Sequence, residues 1–291
     1  MEDYPFYLFY MLIPDTIALD TERRFGGLQR LYGPDSLQRL QGAHVAVAGI
    51  GGVGSWCAEA LARSAIGAIS LIDLDHIAAS NVNRQLHALT ETLGQAKVVA
   101  MAQRIHGINP HCRVQMLDAF VEPDNAARLF SPDVDLIVDC TDQAAAKVAM
   151  VLLAKERGIP VVVCGGAGGK TNPLSLRSGD LSVSVNDALL ARLRNTLRRR
   201  HRYPRAADQA GKPQKRIPRL GVRALWFDQP VLLPAQWQAA ATPDVAVPDA
   251  DAQPLQGLSC AGYGSVVTVT AAMGMAAANE AMQWVLNRKF V

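Results

Sequence analysis

An α/β fold built on a doubly wound, mainly parallel sheet, with an antiparallel extension and a basic insert, is predicted for this 291-residue chain by three observations. Apolar runs of strand length alternate with amphipathic helical stretches between residues 44 and 164, the order that βαβ crossovers require. The first run opens directly into a glycine loop, Gly49-Ile50-Gly51-Gly52-Val53-Gly54. At 49% hydrophobic residues, the chain can bury a substantial core.

The elements follow in order. Strands are expected at residues 44–49, 68–73, 113–118, 136–139 and 160–164, and helices at 55–64, 93–109, 125–130 and 143–157. The strands read as nearly continuous apolar runs, which is the pattern of a parallel sheet covered on both faces. Beyond Cys164 the alternation stops. Residues 174–177 and 180–185 flank Ser178-Gly179 and read as an antiparallel hairpin added to the sheet. The chain divides into an N-terminal tail and helical arm (1–43), a nucleotide-binding core (44–187), a basic insert with its following loop (188–258) and a C-terminal helix packed on the core (259–291).

Several classes are set aside by composition. Five cysteines, odd in number and without C-x-x-C spacing, argue against a disulfide framework or a paired-cysteine zinc site, so a reduced, cytoplasmic setting is expected. The six histidines form no ligand cluster. Residues 4–13 are apolar but follow no Lys or Arg and precede no cleavage site; residues 1–10 are expected to be a tail or the product of an upstream start, with Met11 as the alternative first residue. Residues 261–278 are apolar and uncharged, long enough to raise a membrane-spanning alternative, but their many small residues favour a buried helix, at the sheet or at a subunit interface.

The chemistry concentrates in residues 45–84. Gly49, Gly51 and Gly54 satisfy G-x-G-x-x-G, with Gly52 beside them; lacking Cβ, they permit a tight turn and let backbone N–H groups approach phosphate at a helix N-terminus. Asp73 follows at a strand end, where a carboxylate can accept ribose hydroxyls. The glycine loop alone indicates only a nucleotide. The later segment Ser80-Asn81-Val82-Asn83-Arg84-Gln85 places Asn81 and Arg84 together and narrows this to a nucleotide whose phosphates are attacked.

Residues 192–223 hold twelve Lys/Arg against one acid, so a chain of net charge +3 is net −8 outside that segment. The candidate RNA-binding residues are Arg194, Arg198, Arg199, Arg200, Arg202, Lys215 and Arg216, with a solvated helix face as the alternative. Residues 232–254 read as a Pro/Ala/Asp-rich surface excursion.

The glycine loop, Asp73-Leu74-Asp75, the 80–85 segment, Lys97 and Asp139-Cys140-Thr141-Asp142 together resemble the ThiF/MoeB/ubiquitin-activating-enzyme superfamily of ATP-dependent carboxylate adenylases. Arg24-Phe25-Gly26-Gly27, Leu31-Tyr32-Gly33, Gly165-Gly166-Ala167-Gly168-Gly169, the basic insert and Cys260-Ala261-Gly262-Tyr263-Gly264 are similar to its branch of bacterial tRNA threonylcarbamoyladenosine dehydratases. The resemblance implies ATP and Mg²⁺ as cofactors, modified tRNA as partner, and adenylation of the threonyl carboxylate followed by ring closure. It implies that Arg84 and Lys97 hold the triphosphate, that Asn81 hydrogen-bonds a phosphate or orients its neighbours, that Asp73 takes the ribose and that Asp142 binds Mg²⁺. An N-terminal arginine, Arg24 with Arg30 as alternative, would reach the triphosphate, sometimes from the other subunit of a homodimer. Residues 165–170 would present backbone N–H groups near the acyl carbon. Cys260 is the candidate reactive thiol, the point at which a cysteine-desulfurase-system partner would act, with a structural role as alternative.

Each residue has a plainer alternative. Asp75 reads as a turn cap rather than a ligand, Asn81 as an Asx turn, Lys97 as an exposed helix lysine and Asp142 as a helix cap. Cys57, Cys140 and Cys164 read as core residues. Three other functions compete: a sulfur-carrier-protein adenylyltransferase, against which the missing C-x-x-C pairs count; an NAD-dependent oxidoreductase, which leaves Asn81, Arg84, Lys97 and Asp142 without a reason to converge; and a non-catalytic RNA-binding scaffold.

Overall fold

The computed structural model describes residues 21–206, 214, 217–233 and 263–288. Among these, seven strands form one sheet: β1 (His44–Ala48), β2 (Ala68–Ile72), β3 (Arg113–Leu117), β4 (Leu136–Asp139), β5 (Val161–Cys164), β6 (Leu176–Asp180) and β7 (Arg223–Phe227). Their order is β3-β2-β1-β4-β5-β7-β6, parallel throughout except for the antiparallel β6–β7 pair at one edge. The helices are α1 (Thr21–Tyr32), α2 (Ser36–Gln41), α3 (Gly54–Arg63), α4 (Lys97–Ile108), α5 (Ala126–Leu129), α6 (Ala144–Arg157), α7 (Ala188–Arg200) and α8 (Val267–Asn287).

The period-2 geometry of the strands sorts their side chains into two cores. Val45 and Val47 of β1 pack on the side of α3, α4 and α8, while Ala46 and Ala48 pack on the side of α5, α6 and α7. The doubly wound prediction is therefore met, and the strand order reverses between β1 and β4. Ligands in open α/β sheets bind outside the carboxyl ends of the strands at such a point.

Two expectations are corrected. Helix α4 starts at Lys97 rather than at residue 93. Gly94 adopts φ +83°, and a bridge between His76 and Ala96 keeps the chain extended up to the helix. Lys97 consequently occupies the first helical position, where its N–H donates to Asp75 O at 3.1 Å. The Ser178-Gly179 hairpin does not form. Both residues lie inside β6, whose partner β7 comes from the far end of the basic segment, with Leu176 opposite Phe227 and Asp180 opposite Arg223. The reversal belongs to Asp180: its carboxylate accepts the N–H groups of Ser182, Leu220 and Gly221, drawing residues 220–221 to the strand end. Burial acts to raise this carboxyl, but the amide donors prevail and hold it below the usual value.

Helix α8 packs against α3 along its length. An ideal Cβ on Gly274 would stand 2.4 Å from Val53 O and 2.8 Å from Trp56 Cβ, so the two helices meet at a position only glycine fits. Glu280 of α8 receives a two-pronged bond from Arg223 (2.9 Å each) and a hydrogen bond from Ser178 Oγ, pinning the helix to the β6–β7 edge. No helix among the described residues is long and apolar enough to cross a membrane.

Gly274→Ala is expected to lower unfolding stability by about 1–3 kcal/mol, because backbone atoms of α3 must move. Gly107→Ala, where a Cβ in α4 meets nothing within 4 Å, is expected to be neutral or to gain up to about 1 kcal/mol. Urea denaturation of the two variants checks the contrast.

Candidate nucleotide-binding site

The ends of β1, β2 and β4 open into a cavity of about 370 Å³. Its walls include Gly49, Gly51, Gly52, Asp73, Asn81 and Arg84, with Lys97, Asp142 and Gly166 facing them. The glycine loop, the 80–85 segment, the first turn of α4 and the end of β4 thus converge, although they are spread over almost one hundred residues.

Backbone geometry makes two of the glycines obligatory. Gly49 has φ +83°, and a Cβ there would stand 2.9 Å from the Cys140–Thr141 peptide; a Cβ on Gly54 would stand 1.8 Å from Gly49 O. Gly51 differs. A Cβ there would meet only Gln85 Nε2, at 3.9 Å, yet the residue lines the cavity. No protein atom requires a glycine at this position, and a backbone approached closely by a ligand does.

Asp73 is buried, with Oδ2 accepting from Ile50 N–H at 2.6 Å and Oδ1 from Asp75 N–H at 2.8 Å. It therefore fastens the glycine loop to β2 while facing the cavity. Burial raises this carboxyl, against Lys97 and the two amides. Lys97 is buried rather than an exposed helix lysine. Its Nζ contacts Asp75 Oδ2 at 2.6 Å and Asp73 Oδ1 at 3.8 Å, so Asp75 serves as an ion-pair partner instead of a simple turn cap. Asn81 occupies the turn that its plainer alternative predicts: Oδ1 accepts from Ala78 N–H at 3.1 Å, while Nδ2 has no hydrogen-bond partner among the described residues. The Arg84 guanidinium is held by Ser80 O (2.7 Å) and Asn83 Oδ1 (2.9 Å), and Trp56 Nε1 donates to the Arg84 carbonyl.

Asp142 is exposed and makes no hydrogen bond or ion pair with a described residue. A single open carboxylate beside a phosphate cradle suits Mg²⁺, which takes one or two protein carboxylates together with substrate phosphates. No group of three or more His, Cys, Asp or Glu side chains among the described residues could hold a metal.

Other expectations are not met within one chain. Arg24 and Arg30 lie on α1 outside the cavity, and Arg24 donates to Ile108 O at 2.9 Å. The 165–170 loop meets its expectation only in part: the N–H groups of Gly165, Gly166 and Gly169 are taken by Leu225 O, Asp187 Oδ2 and Gly264 O, whereas those of Ala167, Gly168 and Lys170 have no hydrogen-bond partner among the described residues. Arg194 turns inward to Leu181 O and Ser184, and Arg198 Nε bonds Pro204 O, whereas Arg199, Arg200 and Arg202 are exposed. Lys215, Arg216 and Cys260 lie outside the described residues. Cys57 and Cys164 are core residues as predicted, but Cys140 lines the cavity with its Sγ 3.9 Å from Cys164 Sγ.

Three further wall residues carry little sequence signal: Gln85, whose buried Oε1 has no partner; Phe120, exposed at the rim; and Thr270 of α8. Gln85 adjoins Arg84 in the chain and was within reach of motif reading. Phe120 and Thr270 reach the site only through the fold.

A phosphate-cradling cavity at the switch point of a doubly wound sheet defines a nucleotide-binding α/β protein. The chain belongs to the ThiF family, whose model matches residues 24–290. It is 36% identical over 269 residues to a tRNA threonylcarbamoyladenosine dehydratase of Haemophilus influenzae, covering 92% of this chain and 95% of that one. With the Escherichia coli dehydratase it shares 40% over 262 residues, 90% of this chain and 92% of the relative. The crystal structure of the E. coli enzyme in complex with ATP superposes with a TM-score of 0.76, covering 92% and 95% of the two chains.

Gly51→Ala is expected to leave stability within about 0.5 kcal/mol and to weaken nucleotide binding at least about tenfold. Gly54→Ala is expected to lose folded protein outright, because its Cβ overlaps Gly49 O. Thermal unfolding together with equilibrium nucleotide titration separates the two.

Proposed function

We propose that the protein is an ATP-dependent tRNA-modifying enzyme that adenylates the threonyl carboxylate of threonylcarbamoyladenosine and drives its cyclising dehydration, releasing AMP and pyrophosphate. The observation that carries this reading is the convergence of Arg84, Lys97, Asn81 and Asp142 on one glycine-lined cavity, in a chain that matches such dehydratases over nine-tenths of its length.

In the first step a carboxylate oxygen attacks the α-phosphorus of ATP and pyrophosphate leaves. Two anions must approach, so the site has to supply fixed positive charge. Arg84 and Lys97 bind the phosphates and offset the charge that develops on them. Asn81 Nδ2 donates a hydrogen bond, and Asp73 accepts from the ribose. The cavity's charged walls hold three carboxylates, Asp73, Asp75 and Asp142, against the two cations Arg84 and Lys97, with His76 beside them. Those side chains sum to a net charge of −1, so the cations alone do not balance a triphosphate. Mg²⁺, held by Asp142, would supply the missing positive charge to the phosphates. Arg24 or Arg30 of a second subunit in a homodimer would add to it.

In the second step the carbamoyl group of the same modified nucleoside attacks the acyl adenylate. A ring closes, AMP leaves, and the net change is loss of water. The nucleophile is already tethered, so positioning governs this step. Helix α7 connects the cavity to the RNA surface: Leu189 in its first turn lines the cavity, while Arg199 and Arg200 end it. Its 13 residues span about 20 Å, a reach that supports RNA bound at its arginine end delivering a nucleotide to the cavity.

AMP and pyrophosphate release with Mg-ATP is expected to require tRNA carrying threonylcarbamoyladenosine and to fall by about 10²–10³ in Arg84→Ala. Release that is indifferent to the modification would overturn the reading and direct attention to a carrier-protein carboxylate. Replacing Arg199, Arg200 and Arg202 together by Gln is expected to weaken tRNA binding and flatten the slope of log affinity against log salt by about 2, leaving ATP affinity unchanged; filter binding across a salt series checks it.

A further inference from the structure

Among the described residues, the most deeply buried charged pair is not in the cavity wall but directly behind it. Lys147 of α6 and Asp139 at the end of β4 have side chains 0% exposed, with Nζ 3.1 Å from Oδ1. Lys147 Nζ also donates to Cys164 O at 2.8 Å, tying the end of β5 to that of β4. The same Asp139 oxygen accepts from Thr141 N–H at 3.0 Å and from Thr141 Oγ–H at 2.7 Å, while Oδ2 has no partner among the described residues. Three donors therefore converge on one oxygen, and two of them come from the residue immediately before Asp142.

We propose that Lys147 and Asp139 are positioning residues for Asp142: the buried pair holds the turn at Thr141 and thereby aims the Asp142 carboxylate at a nucleotide-bound divalent cation. The assignment rests on the reading of the cavity given above. Asp142 has no anchor of its own, and the residue that follows, Gln143, makes no side-chain cap on α6. The Cys140–Thr141 peptide is the surface against which Gly49 packs, so the glycine loop and the metal arm share one support. Stability does not call for an ion pair here. A buried pair with an unsatisfied oxygen gains little over apolar side chains of similar volume, and replacement of such pairs is often neutral or stabilising. What an apolar pair cannot do is accept the two hydrogen bonds of Thr141.

The test is equilibrium binding of ATP with and without Mg²⁺, compared with thermal unfolding. Asp139→Val/Lys147→Met is expected to remain folded, with any fall in Tm shared by Asp139→Asn/Lys147→Met, and to bind metal-free ATP within about threefold of the parent, yet to lose at least about tenfold of the affinity gain that Mg²⁺ confers. Asp139→Asn/Lys147→Met, which restores an acceptor for Thr141 without the charges, is expected to recover most of that gain. An undiminished Mg²⁺ gain in the Val/Met variant would overturn the assignment. So would equal losses in the Val/Met and Asn/Met variants, or a matching loss of metal-free binding. Asp142→Asn in the parent is the control: if it leaves the Mg²⁺ gain intact, the metal reading of Asp142 fails, independently of what the buried pair does.

Discussion

The contact of Gly49 with the Cys140–Thr141 peptide is the constraint on which the rest of the structure depends. At this point the chain leaving β1 lies close against the chain leaving the adjacent parallel strand β4, where the strand order reverses. A side chain of any size at position 49 would push the two strand ends apart. The glycine loop would then lose its turn, and α3 would lose its start at Gly54, where a Cβ would stand 1.8 Å from Gly49 O. Because α8 packs on α3 through Gly274, the same contact also determines where the C-terminal helix lies.

Around this junction the protein keeps its charged groups in two tiers. Lys147 and Asp139 are sealed in the interior, where their geometry cannot relax toward water. Lys97 with Asp75, and Arg84 with its carbonyl and amide partners, stand in the cavity itself, each cation held by short contacts. Their attachments hold both cations in place within the cavity, which is the condition under which fixed charge acts most strongly. The acidic side chains Asp73 and Asp75 share the cavity with these cations, and the exposed carboxylate of Asp142 stands opposite them.

The parallel core was legible because its strands are nearly continuous apolar runs separated by helix-period stretches, and local pattern is enough to identify both. Ser178-Gly179 misled because a turn signal and a strand that must admit a bulky neighbour share the same residues. The deciding partner, Trp226 opposite Arg177, lies about fifty residues away. The basic segment illustrates the same limit. Charge density marked it, but the leucines of α7 bury one face of the helix and turn Arg194 and Arg198 inward, so that only some of its arginines face solvent.

By itself, then, the sequence determined the alternating fold, the glycine loop and the kinds of side chain that a phosphate site needs, because each of these is written in local spacing and composition. Tertiary structure alone decided that Lys97 is buried and ion-paired, that Arg24 does not reach the cavity of its own chain, that β7 completes the sheet edge and that a sealed Lys147–Asp139 pair lies beneath Asp142. These outcomes depend on which distant segments pack together, and packing across the fold leaves no periodicity for a linear reading to find.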